Sequence, residues 1–221
     1  MSLYTVYRGL AAGFGHNSAP PVRLTTLAEL VVADSYLAWL LDGRGYQVRA
    51  GTIVTGIAVQ DVIGDTVAEM CADAAAGTTI IPVHFGSAIR GIATGTTLQV
   101  YVKAVGAVSS AGTAFVPLSL KQDGAAAVST ARVAAGAVTV TAELATTTRR
   151  LFEFESVNTQ TPTSALGQVE LVTIATAAQQ LRYIGVGPAC VYVQMGATTA
   201  FNLHFSTLDY FELPTLLVNP S

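Results

Sequence analysis

Charge is what this chain has least of. Asp, Glu, Lys and Arg make up 11% of its 221 residues, where a soluble domain commonly carries about 25%. The net charge is −3, the basic residues are scattered, and the only adjacent pair is Arg149-Arg150. With no basic stripe to follow a phosphate backbone, nucleic acid is not an expected partner. Two cysteines, Cys71 and Cys190, do not make a disulfide framework. Both read as small buried apolar residues. Of the three histidines, His16, His84 and His204, none has a second His, Cys or carboxylate at ligand spacing, so neither a metal nor a cofactor is expected. Long apolar helices are missing as well. The longest charge-free stretch, 183–208, is broken by Gly185, Gly187, Pro188 and Gly196, which excludes a spanning helix and leaves no membrane partner in view. Residues 1–21 hold no continuous apolar run of the kind a secretory leader needs.

Catalytic signatures are absent in the same way. There is no Gly-x-Ser-x-Gly elbow and no Gly-rich phosphate loop after a strand. Glu153 and Glu155 in "FEFE" alternate with Phe152 and Phe154. That is the pattern of a solvated face opposite a buried one, not of two acids facing across a cleft. No catalytic residue is expected, and the chain reads as a protein that is not an enzyme.

What is present is small and neutral. Ala occurs 35 times and Thr 27, and 51% of residues are hydrophobic. Surface charge keeps proteins soluble and apart from their neighbours. A chain that gives it up is read here as covering its surface with other protein.

The apolar residues recur mostly with a period of two. In "TTLQVYVKAVGAV", Leu98, Val100, Val102 and Ala104 alternate with Gln99, Tyr101 and Lys103. Further strands are expected in "YQVRAGTIVTGIAV", "TAFVPLSLKQDG", "AAVSTARVAAG", "AVTVTAELATT", "RRLFEFESV", "GQVELVTIAT", "LRYIGVG", "CVYVQMG" and "AFNLHFSTL". "DTVAEMCAD" suits either helix or strand. Pro82 in "TTIIPVHFG" predicts an edge strand or a bulge. Short strands every 8 to 15 residues or so predict an all-β, antiparallel sandwich or barrel. One helix is predicted over 26–42, opened by the capping box Thr26-x-x-Glu29 and stopped by Asp42-Gly43. Trp39 inside it reads as a core anchor.

Residues 1–21 read as an extended arm. Gly and Pro break it, yet Tyr4, Tyr7 and Phe14 give it apolar anchors. A single β domain is expected over 22–208, and a docked C-terminal tail over 209–221 that carries Tyr210, Phe211 and Leu216.

The stretch "TAFVPLSLKQDGAAAVSTARVAAGAVTVT" resembles strand-loop-strand pieces of jelly-roll structural proteins in tailed-phage virions, with Val116-Pro117-Leu118 leading into an Ala/Thr/Ser-rich strand. The likeness covers about a quarter of the chain and shares no signature residue. It implies a jelly-roll-like sandwich located in a virion, as a capsid decoration or cement protein or a minor capsid protein. The implied partners are other copies of itself, a trimer being favoured, and other virion proteins. The residues expected to carry assembly contacts are Tyr4, Tyr7, Phe14, Tyr210, Phe211 and Leu216. The alternative is a carbohydrate- or receptor-binding β module of a tail fibre or adhesin, which would need exposed aromatic side chains.

Overall fold

A computed structural model of the chain describes residues 35–52, 55–59, 63–90, 97–157, 172–175, 181–197 and 203–218. The chain divides into two units, Met1–Ala38 and Trp39–Ser221, so the break falls later than the arm boundary expected after residue 21. The arm lies outside the described residues, as does the predicted helix before Ser35.

The described helix, α1 (Ser35–Leu41), ends where Asp42-Gly43 predicts. Gly43 has a φ of +71°. Its N–H bonds the Leu40 carbonyl, and the Arg44 N–H bonds the Trp39 carbonyl. These are the two bonds of a Schellman motif, and glycine takes the left-handed turn without a Cβ penalty.

The rest is antiparallel sheet. In chain order the strands are β1 (Gly45–Ala50), β2 (Ile57–Ala58), β3 (Val67–Ala74), β4 (Thr78–Arg90), β5 (Thr97–Val105), β6 (Ser110–Phe115) and β7 (Leu118–Ser119). They continue with β8 (Thr130–Thr139), β9 (Arg149–Val157), β10 (Val172–Ala175), β11 (Gly185–Val186), β12 (Ala189–Ala197) and β13 (Leu203–Pro214), and a last turn of helix, α2 (Thr215–Val218), closes the described chain. One sheet runs β10-β4-β13-β1-β7, with β11 also on β4 and β2 also on β13; the other runs β6-β8-β3-β12-β5-β9.

The two sheets share one core. Tyr46, Val48 and Ala50 of β1, Phe85 and Ile89 of β4, and Leu208 and Tyr210 of β13 come from the first sheet. They meet Met70 and Ala72 of β3, Val100 and Val102 of β5, and Val191, Val193 and Met195 of β12 from the second. Each strand sends alternate residues inward, as period two requires. On β5 the inward set is the predicted one, Leu98, Val100, Val102 and Ala104. On β9, Phe152 and Phe154 pack on the core while Glu153 and Glu155 stay exposed. A buried aromatic or Leu side chain contributes roughly 1.5–3 kcal/mol each, so this shared layer is the main source of stability.

Four local expectations are refined. "DTVAEMCAD" is strand: in β3 both faces are covered, which removes the polar alternation that would have marked it. Pro82 lies on β4, an interior strand, at the point where the β4–β13 register skips Val83. A bulge tolerates the missing N–H there. The two strands expected on either side of Gly136 are one, β8, whose pairing with β3 shifts register between Ala68 and Met70. β13 continues through Pro214, so residues 209–214 of the expected tail are the end of a strand.

Gly187 marks a close approach of loop and strand. A Cβ there would fall onto the Ala75 carbonyl oxygen, with the Ala74 carbonyl oxygen 2.8 Å away. Backbone, unlike a flexible side chain, cannot step aside cheaply. Gly187→Ala is expected to lower stability by about 1–3 kcal/mol. Gly106→Ala, where a Cβ meets nothing within 4 Å, is the control and should be near neutral. Urea midpoints of the two variants read the difference.

Candidate functional site

Four of this protein's few charged side chains lie inside it. Glu69, Asp73, Lys103 and Glu212 are all buried, and each ties two parts of the chain together.

Glu212, near the end of β13, accepts from the backbone N–H groups of Val128 (2.9 Å) and Ser129 (2.8 Å). The Ser129 hydroxyl also lies on its carboxylate and 2.6 Å from the Tyr210 hydroxyl. One carboxylate thus pins the 116–129 segment back onto the sandwich. Burial, above all, lifts the Tyr210 hydroxyl well above the usual tyrosine range; the Ser129 hydrogen bond opposes it and the Glu212 charge adds to it.

Lys103, the single charge of the β5 ribbon, is 4% exposed. It donates to Glu143, whose other oxygen accepts from Arg150 Nε at 2.7 Å. The 140–148 segment crosses the outer side of β5 to make this contact, held by the Val140 N–H on the Thr66 carbonyl and the Glu143 N–H on Asp65. The Lys103 hydrogen bond, first, and then the Arg150 hydrogen bond hold the Glu143 carboxyl below its ordinary value against the opposing effect of burial.

His204 sits sealed between the sheets. Its Nδ1 is 2.8 Å from the Ser206 hydroxyl, which donates to Ser87 at 2.8 Å. Its Nε2 lies 3.8 Å from Glu69. The residue types are those of a hydrolase, but all four side chains are buried, and the arrangement as seen pins β13 to β4 and β3. His84 faces the other side of the same sheet, 3.2 Å from Asp209, so His84 and His204 do not form one site. His16 lies outside the described residues.

The residues expected to carry assembly contacts are placed differently. Tyr4, Tyr7 and Phe14 lie outside the described residues. Leu216 is 73% exposed. Tyr210 and Phe211 are corrections: both are buried, at 1% and 2%. Tyr210 packs in the shared core with its ring 6.0 Å from Tyr46, and Phe211 meets Trp39 edge-on at 5.1 Å. The strand runs further than the sequence pattern shows; its alternation turns Tyr210 into the core and Phe211 to the opposite face, where Trp39 packs on it. Trp39, read as a core anchor, is half-buried and packs on Phe211.

Exposed apolar residues are spread over the described chain, among them Val108, Leu144, Val157 and Ile184, and four of them fall in the 116–128 segment. Val116, Leu118, Leu120 and Val128 expose 58%, 51%, 43% and 69% of their surface. Leu118 pairs with Gln47 on the β1 edge of the first sheet. The signal for them was available: residues 104–120 contain no charged side chain at all.

The sheet edges are guarded unequally. β9 carries exposed Arg149, Arg150, Glu153 and Glu155. β6 is exposed and uncharged, but it bulges between Ala111 and Thr113 with positive φ at Ala111 and Gly112. Charges and bulges both discourage strand addition. β7, two residues long, offers side chains more than ladder.

Comparison with protein-family models, with curated proteins and with solved structures returns no match.

The Glu143 contact has a definite pH signature. A carboxyl depressed on folding adds stability above its ordinary value of 4.5, and that share is lost as pH falls through the lower folded value. Glu143→Gln should flatten the fall of stability with acid below that value. At neutral pH it should cost roughly 3 kcal/mol, because it strands a buried lysine. Chemical denaturation of wild type and variant across this range reads both effects.

Proposed function

We propose that this protein is a structural component of a tailed-phage virion, a capsid decoration or cement protein or a minor capsid protein, that works by packing against further copies of itself. Its role is contact, not catalysis.

The observation that carries this reading is the strand order together with what it leaves uncovered. Leaving out the short and inserted strands, the eight principal ones in chain order are β1, β3, β4, β5, β9, β10, β12 and β13. One sheet then reads first-eighth-third-sixth and the other second-seventh-fourth-fifth. This order is the one expected of two interleaved Greek keys, which supports the jelly-roll reading, an architecture frequent in capsid subunits. The inserted β6–β8 region extends the second sheet and sends β7 across to the first. It is also the region that carries the Val-Pro-Leu stretch and the exposed apolar row.

The row favours a second copy as its occupant. Residues 104–120 and 124–131 hold no charge, so two such surfaces meet without repulsion, and permanent interfaces are the apolar ones. Every large apolar side chain exposed among the described residues is aliphatic. A glycan platform would use aromatic rings, so the receptor-binding alternative has less support.

Light scattering coupled to size exclusion tests the reading. The full chain is expected to elute as an oligomer, a trimer in the favoured case. Leu118→Lys and Val128→Lys, both on exposed positions, should shift it toward monomer with the fold retained by circular dichroism. A wild-type chain that stays monomeric at high concentration would contradict the proposal.

A further inference from the structure

The middle strands of the second sheet, β3 and β12, are buried on both faces. On the outer side of that sheet Cys71, Cys190 and Tyr192 form a second cluster with Ala68, Val105, Val138 and Val140. Within it, one sulfur from Cys71, one from Cys190 and a carboxylate oxygen from Asp73 all lie within 4.8 Å of one another. Cys71 and Cys190 are fully buried and Asp73 is 5% exposed.

We infer that this cluster is a structural binding site for a thiophilic divalent cation, zinc above all. Three observations converge. The first is donor chemistry: two thiols and a carboxylate are zinc ligands of the common kinds, and soft sulfur selects zinc over magnesium or calcium.

The second is register. Cys71 pairs with Tyr192 and Cys190 pairs with Asp73, so the two cysteines are diagonal neighbours on β3 and β12. Such neighbours sit about 7–8 Å apart, whereas a disulfide wants Cα atoms about 4.4–6.8 Å apart. A metal with bonds of ~2.3 Å to each sulfur holds the sulfurs roughly 3.8 Å apart. The geometry suits an ion between the sulfurs better than a bond.

The third is the supporting shell. Asp73 accepts from the Ser109 N–H at 2.8 Å and the Ser109 hydroxyl at 2.6 Å, and Arg132 Nε stands 3.5 Å away. Ligating carboxylates are oriented by such second contacts. The Ser109 hydroxyl is also 3.0 Å from the Cys71 sulfur, which positions it as a fourth donor.

The charges close. Two thiolates, one carboxylate, a dication and the Arg132 guanidinium sum to zero, which a buried site requires. Binding exchanges the two S–H bonds for metal–sulfur bonds, and both protons go to solvent. The ion would tie β3, β12 and the loop before β6 into one unit.

Cobalt(II) is the probe, added to the full-length reduced protein. One equivalent per chain is expected, with thiolate-to-cobalt absorption, and with displacement by zinc. Cys190→Ser should weaken binding roughly a hundredfold and, at saturating cobalt, cut the thiolate absorption by about half, while the β circular dichroism persists. If Cys190→Ser does not fold, Asp73→Asn, which keeps both thiols and nearly the same volume, carries the test through weakened binding. Absence of thiolate–cobalt absorption in the wild type would overturn the site. So would wild-type affinity in Cys190→Ser, or a Cys71–Cys190 disulfide in peptides mapped from unreduced protein.

Discussion

The seating of β13 between β1 and β4 is the contact on which the rest of the structure depends. It joins the first described strand of the sandwich to the last, with six residue pairs on one side and twelve on the other. Nothing local favours this pairing; residues 45–50 and 206–211 meet across most of the chain. The loop-closure entropy must be repaid by burial. The inward row of β13 repays it with Leu208 and Tyr210 in the shared core, with Ser206, itself held by His204, bonded to Ser87 of β4, and with Glu212 bonded to the 116–129 segment. Displacing this strand would open the first sheet in the middle and free the 116–129 segment with it.

A second theme is where the ionic groups sit. Most proteins place them outside, to keep molecules apart. Here part of a scarce supply is drawn inward to fasten loops: Glu212 to the 116–129 segment, Glu143 to Lys103 on β5, Asp73 to the loop before β6. The 104–120 segment, meanwhile, is exposed at Val116, Leu118 and Leu120 and carries no charge at all. Internal order is kept by buried ion pairs and hydrogen bonds, and the surface is left able to meet another protein. The proposed assembly role and the proposed metal cluster rest on different parts of this arrangement, and either stands without the other.

Much of the fold is legible in the sequence, and the failures have physical causes. The clean alternation of β5 and of "FEFE" in β9 reads directly, because each has one wet face. β3 does not, because the 140–148 segment and the loop before β6 cover its outer side. With both faces dry, Cys71 and Asp73 sit at alternate positions in a run that also fits a helix. Pairing them with Cys190 requires the β3–β12 register, which no local pattern contains. Tyr210 and Phe211 read as tail anchors because they follow the run expected to be the last strand, while the long partner β4 keeps that strand going to Pro214. The stop at Asp42-Gly43 is fully local and was legible for that reason.

The central claim is that scarce surface charge reflects faces covered by other copies of the chain. Amide hydrogen exchange measured on dilute and on concentrated protein tests it at the residues concerned. The account predicts that peptides spanning 116–128 exchange more slowly in the concentrated sample, while those of the charged β9 edge are unchanged. Equal exchange of 116–128 at both concentrations would contradict it.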